Sequence, residues 1–110
     1  MLSRSHLQIE VRSLEPGVCQ LILVGDLDFD TAGQLPVSAA QLLAAGVTRL
    51  DVDLSKLEFI DSSGLGALIR VRKDARRHEA GLRLVAMTPR VRRLLRVTCL
   101  DTVFDLGPDL

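Results

Sequence analysis

The sequence predicts an α/β fold: a mixed, mostly parallel β-sheet with helices packed mainly on one side. Three observations carry this. Some stretches alternate apolar and polar residues, others repeat apolar residues at helical spacing, and from the middle of the chain onward the two kinds take turns. Strands separated by helices call for right-handed crossovers and parallel pairing. The opening two strands are divided only by Glu15-Pro16-Gly17, a turn by its chemistry, so they read as an antiparallel hairpin.

The elements follow in the order β-β-α-β-α-β-α-β. Leu7-Gln8-Ile9-Glu10-Val11-Arg12 alternates as a half-buried strand, and Val18 to Val24 is nearly continuous in apolar residues. Gly25-Asp26-Leu27-Asp28 breaks the pattern. Ala32, Leu35, Ala39, Leu42 and Leu43 fall at helical spacing, closed by Gly46. Pro36 requires that this helix begin near it or kink there. Arg49 to Leu54 alternates again. Ser62 to Glu79 is the clearest helix, with Leu65, Leu68, Val71 and Ala75 inward and Arg70, Lys73, Asp74 and Arg77 outward. Gly81 ends it, and Leu82 to Ala86 is a strand. Thr88-Pro89 opens a helix with a threonine cap and a proline in its first turn. Val91, Leu94 and Leu95 face in, Arg90, Arg92, Arg93 and Arg96 out. Val103-Phe104-Asp105-Leu106 reads as a final short strand.

A chain of 110 residues closes one core but not two, so residues 1–110 are expected to form a single domain with its core at about 7–106. With no tryptophan or tyrosine and three phenylalanines, that core is aliphatic, and partner recognition by aromatic stacking is not expected. The net charge is zero but unevenly spread: up to Asp61 there are four basic and nine acidic residues, and from Ser62 onward ten basic and five acidic. Such asymmetry points to a charge-steered protein partner. The arginines fall on outward helix positions, so no direct nucleic-acid partner is expected. No apolar run approaches the roughly 20 residues of a membrane span, and Met1 to His6 lacks a signal-peptide core. The expectation is a soluble cytoplasmic protein without a membrane partner, with Cys19 and Cys99 as reduced, buried thiols.

Chemistry concentrates in Phe59-Ile60-Asp61-Ser62-Ser63-Gly64-Leu65-Gly66. Asp61, Ser62 and Ser63 are all good capping residues, and one should bond the free amides of the first helical turn. A serine before a helix is most often only a cap. Gly64 and Gly66 each cost on the order of 1 kcal/mol in a helix interior, which makes sense if the helix start must stay bare for a close approach. A helix N-terminus favours an anion, so a phosphate on Ser62 suits the domain's own fold. Beside Asp61 and on a docking surface, the same phosphate would oppose association.

At these residues the chain resembles the STAS domain family, in particular the bacterial anti-sigma factor antagonists. The resemblance spans about Leu7 to Leu106. It is carried by Val52-Asp53-Leu54-Ser55 with Phe59 to Gly66, and supported by Gly25-Asp26-Leu27-Asp28 with Thr31-Ala32 and by Pro89 to Leu95 leading to Leu100-Asp101. The resemblance implies a protein that binds an anti-sigma factor serine kinase, freeing a sigma factor for transcription. The kinase inactivates it by phosphorylating the first serine of the Asp-Ser-Ser/Thr-Gly motif, here Ser62 with Ser63 as second choice, and a serine/threonine phosphatase restores it. Asp26, Asp28, Asp61, Ser62, Ser63, Gly64, Leu65 and Gly66 would form the contact surface. The chain departs from its relatives at Gly33, where proline is common, at Pro36, and at Cys99, where glycine is common. A C-terminal helix of many relatives is expected to be short or missing.

Other classes fit less well. A STAS scaffold that is not phosphorylated, or a subunit of a larger signalling or lipid-transport assembly, would share the fold, but the intact Asp61-Ser62-Ser63-Gly64 favours the switch. A phosphoacceptor receiver built on Asp53 needs an acidic pair after its first strand to hold a divalent metal; Val11-Arg12-Ser13 stands there. A serine enzyme needs a base, yet His6 is near the N-terminus and His78 at a helix end, and there is no Gly-x-Ser-x-Gly elbow or phosphate loop. No enzymatic turnover, cofactor or metal is expected.

Overall fold

The structure is a computed structural model that describes residues 5–106. In chain order its elements are β1 (Leu7–Glu15), β2 (Val18–Leu27), α1 (Gln34–Ala44), β3 (Arg49–Ile60), α2 (Ser62–Arg77), β4 (Gly81–Met87), α3 (Pro89–Val97) and α4 (Leu100–Val103). The sheet is four-stranded with spatial order β1-β2-β3-β4. β1 runs antiparallel to β2, and β2, β3 and β4 run parallel. This is the mixed, mostly parallel sheet that the sequence predicts.

The two sheet faces differ in chemistry. Cys19, Leu21 and Leu23 of β2 stand in register with Leu50 and Val52 of β3 and with Val11 and Ile9 of β1. This face carries the apolar cluster, in which Leu21, Leu23, Leu50, Val52 and Leu54 pack with Leu35, Ala39 and Leu43 of α1, Leu68 and Val71 of α2, and Val91 and Leu95 of α3. The helices are thus gathered over one face. On the other face Asp51 is buried beneath two arginines: Arg49 reaches it with Nε at 3.1 Å and Nη2 at 3.2 Å, and Arg83 with Nε at 3.3 Å. A buried carboxylate needs such partners, because an unpaired charge out of water is costly.

Local chemistry explains the helix ends. Pro36 lies in the first turn of α1, where its missing N–H would have had no intrahelical partner. The helix starts at Gln34 and needs no kink. Thr88 caps α3 as the sequence predicts, its Oγ1 accepting from the Val91 N–H at 3.2 Å, with Pro89 opening the helix.

The structure corrects the prediction at several points. β2 continues through Gly25, at φ +110°, to Leu27; a Cβ at Gly25 would meet the His6 carbonyl at 2.3 Å. β3 runs on past Leu54 to Ile60, because β2 still offers it a ladder: Gly25 pairs Leu57 and Leu27 pairs Ile60. The final strand does not form. Leu100–Val103 is a short helix, and the backbone then reverses at Asp105, φ +58°. Apolar alternation there reflects Phe104, whose ring is buried in the core while its neighbours are not. The cysteines are free, but Cys19 is half-buried and Cys99 is exposed. Cys99 sits at φ +62° just after α3, the left-handed position that glycine favours at helix ends.

Candidate functional site

Three pieces of chain meet at the C-terminal edge of the parallel strands: the end of β2, the loop before α1, and the start of α2. Their assembly begins with Asp61, the cap of α2. Its Oδ1 accepts the Gly64 N–H at 3.0 Å, and its Oδ2 accepts the Phe29 N–H at 3.2 Å. Of the three capping candidates in the sequence, the aspartate takes the role, and it also ties the loop of residues 28–33 to the helix.

That loop is closed by Asp28 and Thr31, both buried. Asp28 Oδ1 accepts the N–H groups of Asp30 at 3.0 Å and Thr31 at 3.3 Å, while the Asp28 N–H donates to Thr31 Oγ1 at 3.0 Å. This reciprocal arrangement has the hydrogen-bond pattern of a capping box, here closing the turn that precedes α1, whose own N-cap Gly33 makes no side-chain bond. Thr31 Oγ1 in turn donates to the Asp26 carbonyl at 2.7 Å, which pins the loop to the end of β2. The Asp28 carboxyl is held below its usual pKa, first by the Ser5 hydroxyl and then by the Asp30 and Thr31 backbone amides and the Thr31 hydroxyl, against the opposing effect of burial.

Gly64 explains how α2 comes so close. A Cβ there would lie 2.2 Å from the Leu27 carbonyl oxygen and 2.8 Å from Ile60 Cγ1. The helix start rests directly on the β2 backbone, and only glycine permits it. Gly66 is different: it is exposed, with nothing within 4 Å of where a Cβ would stand.

The predicted site residues therefore divide. Ser62 and Gly66 are exposed, and Asp26, Asp61 and Ser63 are half-buried. Asp28, Gly64 and Leu65 turn inward, so they shape the surface from below. The sequence missed Phe29. Its side chain is 82% exposed, although its own N–H is bonded to the cap of α2. The only available signal was an aromatic residue set between two aspartates, Asp28-Phe29-Asp30, outside any apolar periodicity. Phe59, at the end of β3, is also exposed. His78 closes α2 on the surface, Nδ1 lying 3.0 Å from the Asp74 carbonyl oxygen. Among the described residues there is no cluster of side chains able to hold a metal ion, and no helix long and apolar enough to cross a membrane.

Comparison with known proteins agrees with this architecture. Residues 10–108 match the family described as "Mlab, STAS domain". Among solved structures, an anti-sigma factor antagonist from Mycobacterium paratuberculosis superposes with a TM-score of 0.80 at 31% identity, covering 96% of this chain and 88% of that one. The anti-sigma factor antagonist SpoIIAA in its unphosphorylated form shares the fold, with a TM-score of 0.74 at 20% identity over 84% of this chain and 82% of its own. The anti-sigma-B factor antagonist of Listeria monocytogenes is 23% identical over 101 residues, 92% of this chain and 89% of that protein. With a family match across nearly its whole length, a sheet and helix arrangement of the same kind, and an Asp-Ser-Ser-Gly helix start in place, the chain belongs to the STAS domain family.

Proposed function

We propose that this protein is an anti-sigma factor antagonist: it binds an anti-sigma factor that is also a serine kinase, and phosphorylation of Ser62 by that kinase switches it off. On this reading a serine/threonine phosphatase resets it, it works in the cytoplasm, and it has no catalytic turnover of its own. The observation that carries the proposal is the division of labour at the start of α2. Asp61 does the capping, so the exposed Ser62 hydroxyl is not needed for the fold. Ser63 is half-buried, which favours Ser62 as the acceptor.

The local electrostatics suit a switch. The Gly64 N–H goes to Asp61 Oδ1, and the Leu65 N–H goes to the Asp61 carbonyl at 3.0 Å. The first two amides of the helix point toward its open end, where the macrodipole favours a phosphate. A phosphate adds close to two negative charges and stands beside the Asp61 carboxylate. The domain tolerates it, while a partner pressed against the same spot must desolvate it. A loss of about 3 kcal/mol weakens binding more than a hundredfold. Exposed Phe29 and Gly66 flank the serine and supply an apolar contact and a bare approach.

The test incubates the protein with the anti-sigma serine kinases of its own genome and ATP, and maps phosphate by mass spectrometry. Phosphate is expected on Ser62, lost in Ser62→Ala, and Ser62→Asp should bind the kinase more weakly than Ser62→Ala. Phosphate on neither Ser62 nor Ser63 by the kinase that binds the protein would sink the switch.

A further inference from the structure

We propose that the protein self-associates through the free edge of β1, two copies pairing antiparallel about Val11 so that their sheets join into one. β1 is the outermost strand of the sheet. An uncovered edge is a template for another strand, and natural proteins blunt such edges with lysine, proline or inward-pointing charge. The nine residues of β1, Leu7–Glu15, contain neither lysine nor proline. Two of its apolar side chains stay open to solvent, Val11 at 52% and Leu14 at 47% exposure.

Charge selects the occupant. Val11 stands in register with Leu21 and so shares the helix-covered face, while Glu10 and Arg12 stand opposite Ile22 and Gln20 on the other face. Those β2 neighbours carry no charge, and among the described residues Glu10 and Arg12 are in no ion pair. In a two-fold antiparallel pair centred on Val11, Glu10 lies opposite the partner's Arg12, and Arg12 opposite the partner's Glu10. Val11 covers the partner's Val11 on the helix side. A one-residue slip of the pairing, which puts the centre between two residues, would turn the helices of the two copies to opposite faces. A centre moved to Glu10 sets two carboxylates against each other, and one moved to Arg12 sets two guanidinium groups together, both unfavourable for residues directly opposite. The strand is complementary to itself in one register. A second copy is the partner that matches it.

This contact is independent of the proposed switch. Leu21, opposite Val11, lies six residues before Leu27 at the helix tip, about 20 Å along a strand. Both Ser62 sites remain open in the pair.

Analytical ultracentrifugation up to about 1 mM protein tests it. The wild-type chain is expected to pass from monomer to dimer with concentration. Glu10→Arg alone and Arg12→Glu alone should each weaken self-association at least about tenfold. An equimolar mixture of the two variants should recover it, because their charges are again opposite, and so should the doubly exchanged chain. Circular dichroism checks that each variant is folded, and the mixture serves as the internal control. A wild-type chain that stays monomeric throughout, single variants that associate like wild type, or a mixture that recovers nothing overturns the proposal.

Discussion

Phe29 is an apolar ring in a place where folding has no use for it. Its N–H is fixed by Asp61 and its neighbour Asp28 is locked by Thr31, so the backbone is held while the ring stands 82% exposed. Single exposed apolar residues are common, but this one stands on a loop tied through its own N–H to Asp61, the residue before Ser62. A preordered aromatic side chain on a docking surface is the usual form of a binding hot spot. Phe29→Ala is expected to change folding stability by less than about 0.5 kcal/mol and to weaken kinase binding about thirtyfold, a loss of about 2 kcal/mol. Urea denaturation and calorimetric titration separate the two. An unchanged affinity would remove Phe29 from the interface.

At the scale of elements, the start of α2 carries two glycines with opposite duties. Gly64→Ala drives a methyl group into the Leu27 carbonyl, a backbone atom that no rotamer change can move. The variant is expected to lose at least about 2–3 kcal/mol of stability, read from the urea midpoint. Gly66→Ala meets open space and removes a poor helix former, so it should be neutral or stabilising by up to about 1 kcal/mol. Binding, measured on the folded proteins, should fall for Gly66→Ala if the bare surface receives the kinase. A destabilised Gly66→Ala, or a Gly64→Ala as stable as wild type, would reverse the assignment of roles. The sequence alone marks both glycines as conspicuous but cannot tell them apart, since the difference is the carbonyl of a strand distant in the chain. The same distinction governs the rest of what was legible. Periodicity locates β1, α2 and α3 because each has one face toward the core, and β2 shows as a near-continuous apolar run because Ile22 is buried as well as Leu21 and Leu23. It stops short in β3, where Ser55 and Lys56 are both exposed and the register with β2 shifts, as a bulge resets alternation. It gives a strand at 103–106 because the apolar Val103, Phe104 and Leu106 are interrupted only by Asp105, a pattern that a helix end and a left-handed Asp105 produce equally well. The capping chemistry at Asp61 was legible as a choice of three residues. Phe29 was not, because exposure in a loop is a property of the folded surface.

Across the whole molecule, the charge imbalance of the sequence becomes a spatial one. Asp26, Asp28, Asp30, Glu58 and Asp61 belong to the strand ends and the loop around the start of α2, while Arg70, Arg72, Lys73, Arg76 and Arg77 lie along α2, with Arg90, Arg92, Arg93 and Arg96 on α3. If this acidic end is the docking end, as proposed, it attracts a basic partner from a distance, and such steering acts on the association rate and is screened by salt. The Debye length shrinks from about 10 Å at 0.1 M salt to about 3 Å at 1 M. Association with the kinase is therefore expected to slow about tenfold between about 0.05 and 0.5 M salt, with dissociation little changed. On the proposed switch, a phosphate on Ser62 would add negative charge to an end that is already acidic, so its effect at long range would be attractive. Its effect at contact is the opposite, since it must lose water beside Asp61. The phosphorylated protein should thus associate at least as fast as the unmodified one and owe its lost affinity to faster dissociation, a pairing that surface plasmon resonance on both forms resolves. Association that is indifferent to salt, or a phosphate that acts by slowing association alone, would mean that charge at the helix tip does not direct the encounter.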